Sequence, residues 1–261
     1  MINSFRQPVD KIVKLKQYAE VKVYDTFSQL NKEYKSGCIL GQFDWQSKYF
    51  VDEKIRKNIL NYELIEFAKN KYRSYKEIEK LGIPQLKTVV MNNPKYNSVY
   101  RGIKDVEKTF GDSKFVIKPN DAGLGHRIYL TDSKKVEHLC INELWDEYIL
   151  CQEYIENYQD CRVVILEPKG IIDCFQRVPS NLIGKSRDYS CREEVVINEK
   201  LKSYINKIRQ YILKNYKSKY MFYSIDFYIM NSKVIFGEIN NNIGIHYVSE
   251  KAIKEVCNTL K

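Results

Sequence analysis

Long apolar runs are missing from this chain of 261 residues. No stretch approaches the ~20 consecutive apolar residues a helix needs to cross a bilayer. The opening MINSFRQPVDKIVKLKQ has no apolar core, so no secretory leader is expected there. Histidine is scarce: only His126, His138 and His246 occur. The seven cysteines, Cys38, Cys140, Cys151, Cys161, Cys174, Cys191 and Cys257, include no CxxC pair. A structural zinc site is therefore not expected. An odd, dispersed set of cysteines inside apolar stretches fits reduced thiols in a cytoplasmic protein better than a disulfide framework. Internal repeats, low-complexity tracts and dense basic blocks are absent as well. Acidic residues are in deficit, 33 against 43 lysines and arginines, for a formal charge of +10. That surplus attracts nucleotides, polycarboxylates, nucleic acid or anionic surfaces alike. Its even spread along the chain argues against nucleic acid as the partner.

What is present is apolar and aromatic. Hydrophobic residues make up 44% of the chain, with 21 Tyr and 11 Phe, which is enough for a sizeable core. VKVYD (21–25) and GCILGQF (37–43) read as short strands. In NKYRSYKEIEKLGIPQLKTVVM the apolar spacing through Tyr75, Ile78 and Leu81 is helical, Gly82 stands where a helix stops, and Pro84 prevents continuation. A strand follows in LKTVVM, a helix over 101–110, and a strand in KFVIKP. RIYLT (127–131) is its expected hairpin partner, with a helix over 134–146 and a buried strand in YILCQEYI (148–155) after it. CRVVIL and IIDCFQRV flank the turn Glu167-Pro168-Lys169-Gly170. Residues 199–216 have a helical period, SIDFYIM and KVIFGEIN form a last hairpin, and KAIKEVCNTL closes as a helix. Hairpins dominate the second half, so the fold class is α+β.

Both later hairpins place charge. Centring the first on Pro168-Lys169 puts Asp160 opposite Arg177 and Arg162 opposite Phe175, so Asp160, Arg162 and Arg177 share a face. Two guanidiniums beside one carboxylate suit a polyphosphate, or simply form cross-strand ion pairs. In the second hairpin, Glu238 and Asn240 are two apart and point to one face. A three-residue loop, Asn231-Ser232-Lys233, brings Asp226 opposite Glu238; a two-residue loop without a bulge sends it to the other face. With the first register, two carboxylates and an amide oxygen converge, the oxygen set that Mg²⁺ prefers.

FVIKPNDAGLGH (115–126) then gains meaning. By itself it is a strand ending in a lysine, followed by common turn residues. In series with the other motifs it resembles the ATP-grasp superfamily, closest to its glutathione-synthetase-like and ribosomal-protein glutamate ligase branches. The resemblance spans about residues 70–248. It implies an ATP-grasp fold, two α+β subdomains gripping a nucleotide. Residues 1–69 would form a short N-terminal α/β region, 70–150 the first subdomain with the glycine loop, and 151–261 the second with the metal site. Lys71, before the helix ending in Gly82-Ile83-Pro84, and Lys118 match the family's two nucleotide lysines. Gly123 and Gly125 match the flap over the phosphates, and Glu153, Tyr154 and Ile155 the adenine hinge. Asp160 matches the ribose contact, Arg177 the arginine near the transferred phosphate, and Asp226, Glu238 and Asn240 the D…ExN magnesium signature. The chain departs from the pattern at Ile243, where many members have proline, at Ser224, where some have arginine, and in its glycine-poor loop with His126.

The chemistry implied is an ATP- and Mg²⁺-dependent carboxylate–amine ligase. ATP phosphorylates a small-molecule or peptide carboxylate, and an amine displaces phosphate from the acylphosphate. Lys118 and Arg177 would act directly on the transferred group. His246 and Arg162 are candidates for substrate contact; Tyr223, Arg187 and Arg192 are weaker ones, better explained as structural. Two other readings compete: a kinase that stops at phosphoryl transfer, and a basic module for nucleic acid or an acidic partner.

Overall fold

The structure, a computed structural model, describes residues 1–5, 7, 9–41, 43, 47–92, 101–121, 127–144, 148–179, 189–243 and 248–260. It is built on three sheets. The first comes from β1 (Ile2–Phe5), α1 (Val9–Lys16), β2 (Val21–Tyr24), α2 (Phe27–Glu33) and β3 (Ile39–Gly41). Its strands are parallel, in the order β2-β1-β3. The sequence patterns indicate β2 and β3 but not β1. In INSF two of the four buried residues are polar, so neither alternation nor an apolar run marks the strand. Asn3 is held there as an acceptor for Tyr24 Oη (3.1 Å) and a donor to the Ser36 carbonyl (2.8 Å).

Three short helices follow: α3 (Glu53–Arg56), α4 (Leu64–Lys69) and α5 (Lys71–Glu79). Asn70 caps α5 by accepting from the Arg73 amide, and Gly82 stops it with φ of 70°, as its place in the sequence predicts.

The second sheet holds β4 (Thr88–Asn92), β5 (Phe115–Pro119), β6 (Tyr129–Thr131) and β7 (Tyr148–Glu153), in the antiparallel order β4-β7-β5-β6. Helices α6 (Arg101–Phe110) and α7 (Val136–Asn142) close one face, where Phe115, Ile117, Ile149 and Cys151 meet Val106, Phe110 and Cys140. Helix α7 is shorter than the predicted 134–146, because Asp132 caps a 3-10 turn ahead of it. Strand β7 ends at Glu153 and not at 155. All six of its residues belong to this sheet, so the boundary expected at 150 falls inside a strand.

The third sheet has the order β10-β9-β8-β11-β12, from β8 (Gln159–Glu167), β9 (Gly170–Pro179), β10 (Tyr189–Glu194), β11 (Met221–Met230) and β12 (Lys233–Asn240), with α8 (Glu199–Asn215) and α9 (Glu250–Thr259). It is covered on both faces. Val163, Ile165, Tyr223, Ile225, Phe227 and Phe236 pack with residues of α4, α5 and α8. Val164, Leu166, Phe175 and Phe222 pack with α9 and the N-terminal region. Two-sided burial explains the nearly unbroken apolar run of β11, and it makes the buried Ser224 and Asp226 conspicuous.

Both hairpins of this sheet contain a bulge that their sequences do not announce. The β11–β12 turn has two residues, with Met230 opposite Lys233 and not the three-residue loop expected. Asn231 and Ser232 both take left-handed backbone, φ of 46° and 65°, as a tight hairpin turn requires. Gly237 is then the extra residue: Phe227 opposes Phe236, whereas Asp226 opposes Glu238. The bulge restores the face that the turn alone would have lost. In β8–β9 the same thing happens at Ile172, between the pairs Val164–Asp173 and Ile165–Ile171. Beyond it Asp160 opposes Arg177 and Arg162 opposes Phe175, the predicted register.

Among the described residues no helix is long and apolar enough to cross a membrane. Six described cysteines are free thiols, Cys161 and Cys174 standing 3.6 Å apart at sulfur.

Candidate active site

Strand β5 divides its residues between two environments. Phe115 and Ile117 enter the core under α6 and α7, so Val116 and Lys118 face the other way. There they line a cavity of about 210 Å³. Leu130 of β6 and Gln152 of β7 line it from the same sheet, and Tyr228 of β11 from the third sheet. Tyr158 closes it, meeting the Tyr228 ring edge-on at 4.8 Å between centroids. The space is thus a slot between two sheets, apolar on its walls and cationic at one point.

The cation is Lys118, only 6% exposed. Its ammonium donates to Tyr75 Oη at 2.9 Å and to Gln152 Oε1 at 2.8 Å. Both partners are neutral, so they orient the charge without cancelling it. An ammonium held this way in a buried slot favours an anion. The sequence offered a hint of Gln152, a lone polar residue inside the apolar run YILCQEYI, but nothing to connect Tyr75 with Lys118. Lys71 opens α5 and is also buried. Asn120, two residues past Lys118, ties the two elements together: its carbonyl accepts from the Lys71 amide (3.2 Å) and its side chain from the Tyr72 amide (2.9 Å). The Lys71 ammonium reaches that same carbonyl at 3.5 Å.

The hinge lines the cavity through Glu153, Tyr154 and Ile155. One part of it is already engaged. The Glu153 amide donates to the Lys87 carbonyl at 2.8 Å, so it is not available to a ligand. The amides of Tyr154 and Ile155, beyond the end of β7, donate to no described backbone carbonyl.

Two residues along β11 from Tyr228 is Asp226, 1% exposed, and across from Tyr228 on β8 is Asp160. Here four charges converge. Arg162 grips Asp226 with both arms, Nε to Oδ1 at 2.7 Å and Nη2 to Oδ2 at 2.6 Å. Arg177 Nη2 bridges Asp160 (2.6 Å) and Asp226 (2.9 Å). Asn240 Nδ2 adds a bond to Asp226 Oδ2 at 3.1 Å. Burial pushes the Asp226 carboxyl up, but the two guanidiniums outweigh it and hold it below the usual carboxylate range. For Asp160 burial is the stronger influence, and its carboxyl is raised despite Arg177.

This arrangement revises two expectations. Arg162 was expected at the substrate, yet it is bound face-on to Asp226. Asp226, Glu238 and Asn240 share a face, but they do not form a ready metal cage. Both Asp226 oxygens are taken, and among the described residues no three acidic, His or Cys side chains converge on one point. The physical reason is burial: carboxylates this deep require charged partners, and Arg162 and Arg177 supply them. The donor set still suits a hard cation. The Glu238 carboxylate makes no hydrogen bond to a described residue, and Asn240 presents an oxygen if its amide turns over.

Tyr223 is fully buried and donates to Glu167, and Arg192 pairs with Asp173. Both are structural. Gly123, Gly125, His126, Arg187 and His246 lie outside the described residues.

A slot between a four-stranded and a five-stranded sheet, with one lysine on the first and an acidic cluster on the second, defines the class: the chain has the ATP-grasp fold. Solved structures share it over nearly the whole chain. D-cycloserine synthetase DcsG is 12% identical, with 100% of each chain covered and a TM-score of 0.71. The D-alanine–D-alanine ligase from Bacillus anthracis complexed with ATP is also 12% identical, with 99% of this chain and 94% of that one covered and a TM-score of 0.66. The ATP-grasp ligase PsnB complexed with minimal precursor is 14% identical, covering 99% and 97%, with a TM-score of 0.63. No family model and no curated protein matches the sequence.

Proposed function

We propose that this chain is an ATP-dependent carboxylate–amine ligase. The observation that carries the reading is the slot itself: Lys118, the hinge and Tyr228 line it, and the Asp226 cluster begins beside Tyr228, with Asp226 two residues along β11 and Asp160 across from it. Three similar folds belong to a synthetase and two ligases, one of them complexed with ATP.

In this reading the adenine lies between Leu130, Tyr158 and Tyr228, with its edge toward the Tyr154 and Ile155 amides. Asp160 takes the ribose. Lys118 and Lys71 neutralise the polyphosphate, and the loop with Gly123 and Gly125 covers it. Glu238 and Asn240 would hold Mg²⁺, joined by Asp226 once Arg162 lets go; the ion would spread the charge of the phosphate oxygens. Arg177 turns from Asp160 toward the transferred group. A substrate carboxylate oxygen attacks the γ-phosphorus, and the bond to ADP breaks. The amine then attacks the acyl carbon, phosphate leaves with the electron pair of the C–O bond, and the amine loses a proton. Phosphoryl transfer of this kind needs positioning and charge compensation more than covalent help from the protein. Covering the slot keeps water from the acylphosphate.

The test is ADP release across a panel of amino acids, short peptides and acidic metabolites. Asp226→Asn and Glu238→Gln should each lower it on the order of 100-fold. Unchanged release in either variant overturns the reading. A phosphorylated product that persists without amine identifies a kinase instead.

A further inference from the structure

Strands β8 and β9 carry chemistry on both faces. One face presents Asp160, Arg162 and Arg177 to the Asp226 cluster. Side chains alternate along a strand, so Cys161, between Asp160 and Arg162, points to the other face. There it packs with Val163 and Ile225 in the core that α8 covers, and Cys174 of β9 packs against the same core. The two sulfurs stand 3.6 Å apart. A dithiol therefore backs onto the residues that hold Asp226.

The pairing register gives that closeness a consequence. Cys161 opposes Gln176 and Cys174 opposes Val163, so the cysteines are diagonal neighbours and not a directly opposed pair. Diagonal Cα atoms in an antiparallel sheet are roughly 7–8 Å apart, whereas a disulfide spans about 4.4–6.8 Å. The sulfurs meet with the strands in place, but a bond between them must draw the two backbones together by on the order of an ångström. The thiols also differ in access. Cys161 is fully buried and Cys174 only half-buried. Strand β10 ends at Glu194, opposite Phe175, one residue short of Cys174. The Cys174 amide donates instead to Asp173 Oδ1 at 3.0 Å. The hydrogen bond to Cys174, together with burial, pushes the Cys161 thiol up. Cys174 is thus the sulfur that meets a reagent first.

We propose that Cys161 and Cys174 form a modification site, a dithiol that a hydroperoxide closes to a disulfide, and that closure pulls β8 and β9 out of the register on which the Asp226 cluster depends. With hydrogen peroxide, Cys174 Sγ attacks one peroxide oxygen, the O–O bond breaks and water leaves. Cys161 Sγ then attacks the sulfenic sulfur, the S–O bond breaks, and a second water carries off that oxygen. The two cysteines give up two electrons and two protons, and the peroxide is reduced. A small thiol reverses the bond by exchange. The disulfide stands apart from the ligase reading, whereas its effect on ATP rests on it.

Hydrogen peroxide treatment of the full chain, followed by non-reducing peptide mapping and thermal melting with and without ATP, tests the proposal. A Cys161–Cys174 cross-link should form, and the ATP-induced rise in melting temperature should fall at least twofold. Dithiothreitol should restore both. Without ATP, the oxidised protein should melt no higher than the reduced one, since strain at the cluster offsets the stabilisation a closed loop brings. Cys174→Ser should give no such cross-link and keep its ATP response through the treatment. Absence of the cross-link in the parent overturns the site. A clear rise in melting on oxidation, an ATP response unchanged by the cross-link, or an equal loss of response in Cys174→Ser overturns the coupling to the cluster. A reduced parent with no ATP response removes the ligase reading alone, because the cross-link and the melting comparison do not need it.

Discussion

The two hairpins of the five-stranded sheet solve one problem with different residues. Each has a tight turn that by itself would set the far end of its strands one residue out of step. Each corrects this with a single bulged residue, and each thereby delivers a charged group to the common cluster: Arg177 from one, Asp226 from the other. At the β8–β9 bulge the extra residue is Ile172, whose side chain packs beside the core. At the β11–β12 bulge it is Gly237, and the strands press together there. A Cβ on Gly237 would lie 2.9 Å from the Asp226 carbonyl oxygen, closer than side chains approach backbone. A bulge tolerates a large residue where it opens outward, and demands glycine where it closes on its partner.

That contrast can be broken in graded steps. Arg162→Ala strikes at what both bulges serve, leaving Asp226 buried with only part of its compensation. It should cost about 3–5 kcal/mol of unfolding free energy in a denaturant titration. Gly237→Ala should cost about 1–3 kcal/mol and, unlike a simple cavity mutant, should also reduce ATP-induced stabilisation, because Asp226 and Glu238 must shift apart. Ile172→Ala, at the permissive bulge, should lose about 1 kcal/mol and leave the ATP response intact. An equal effect at both bulges would remove the distinction drawn between them. As a floor, breaking the exposed Lys76–Glu79 pair with Lys76→Ala should change stability by less than about 0.5 kcal/mol. That pair is a single lysine–carboxylate contact in water, whereas Asp226 is held out of water by two bonds from Arg162 and one from Arg177.

The sequence makes much of this legible, and its gaps have physical causes. The end of helix α5 is readable because Gly82 acts through local geometry, whereas its Asn70 cap is seen in the structure. The alternation of β5 follows from strand period, whereas Asp160 meets Arg177 because the bulge at Ile172 offsets a turn that pairs Leu166 with Gly170. Strand β1 is not readable, since Asn3 is held in the interior by tertiary hydrogen bonds and Ser4 is buried beside it by packing. The two-residue turn at Asn231-Ser232 and the bulge at Gly237 are errors of one residue each, and they cancel, so Asp226 reaches the expected face by a different route. The hydrogen bonds from Lys118 to Tyr75 and Gln152 join residues 43 and 34 apart, beyond the reach of any local pattern.

What the sequence determines alone is which residue types exist to do chemistry and in what order: Lys71, Lys118, Asp160, Arg177, then Asp226, Glu238 and Asn240. Periodicity and turn chemistry are short-range, so they also decide which strands carry these residues. Only the tertiary structure decides their partners. Two-sided burial of the five-stranded sheet removes water from Asp226, and a carboxylate without water must take the nearest cations, Arg162 and Arg177. The same packing joins α1 to the segment after β12, where Lys11 donates to Asn242 from more than two hundred residues away in the chain.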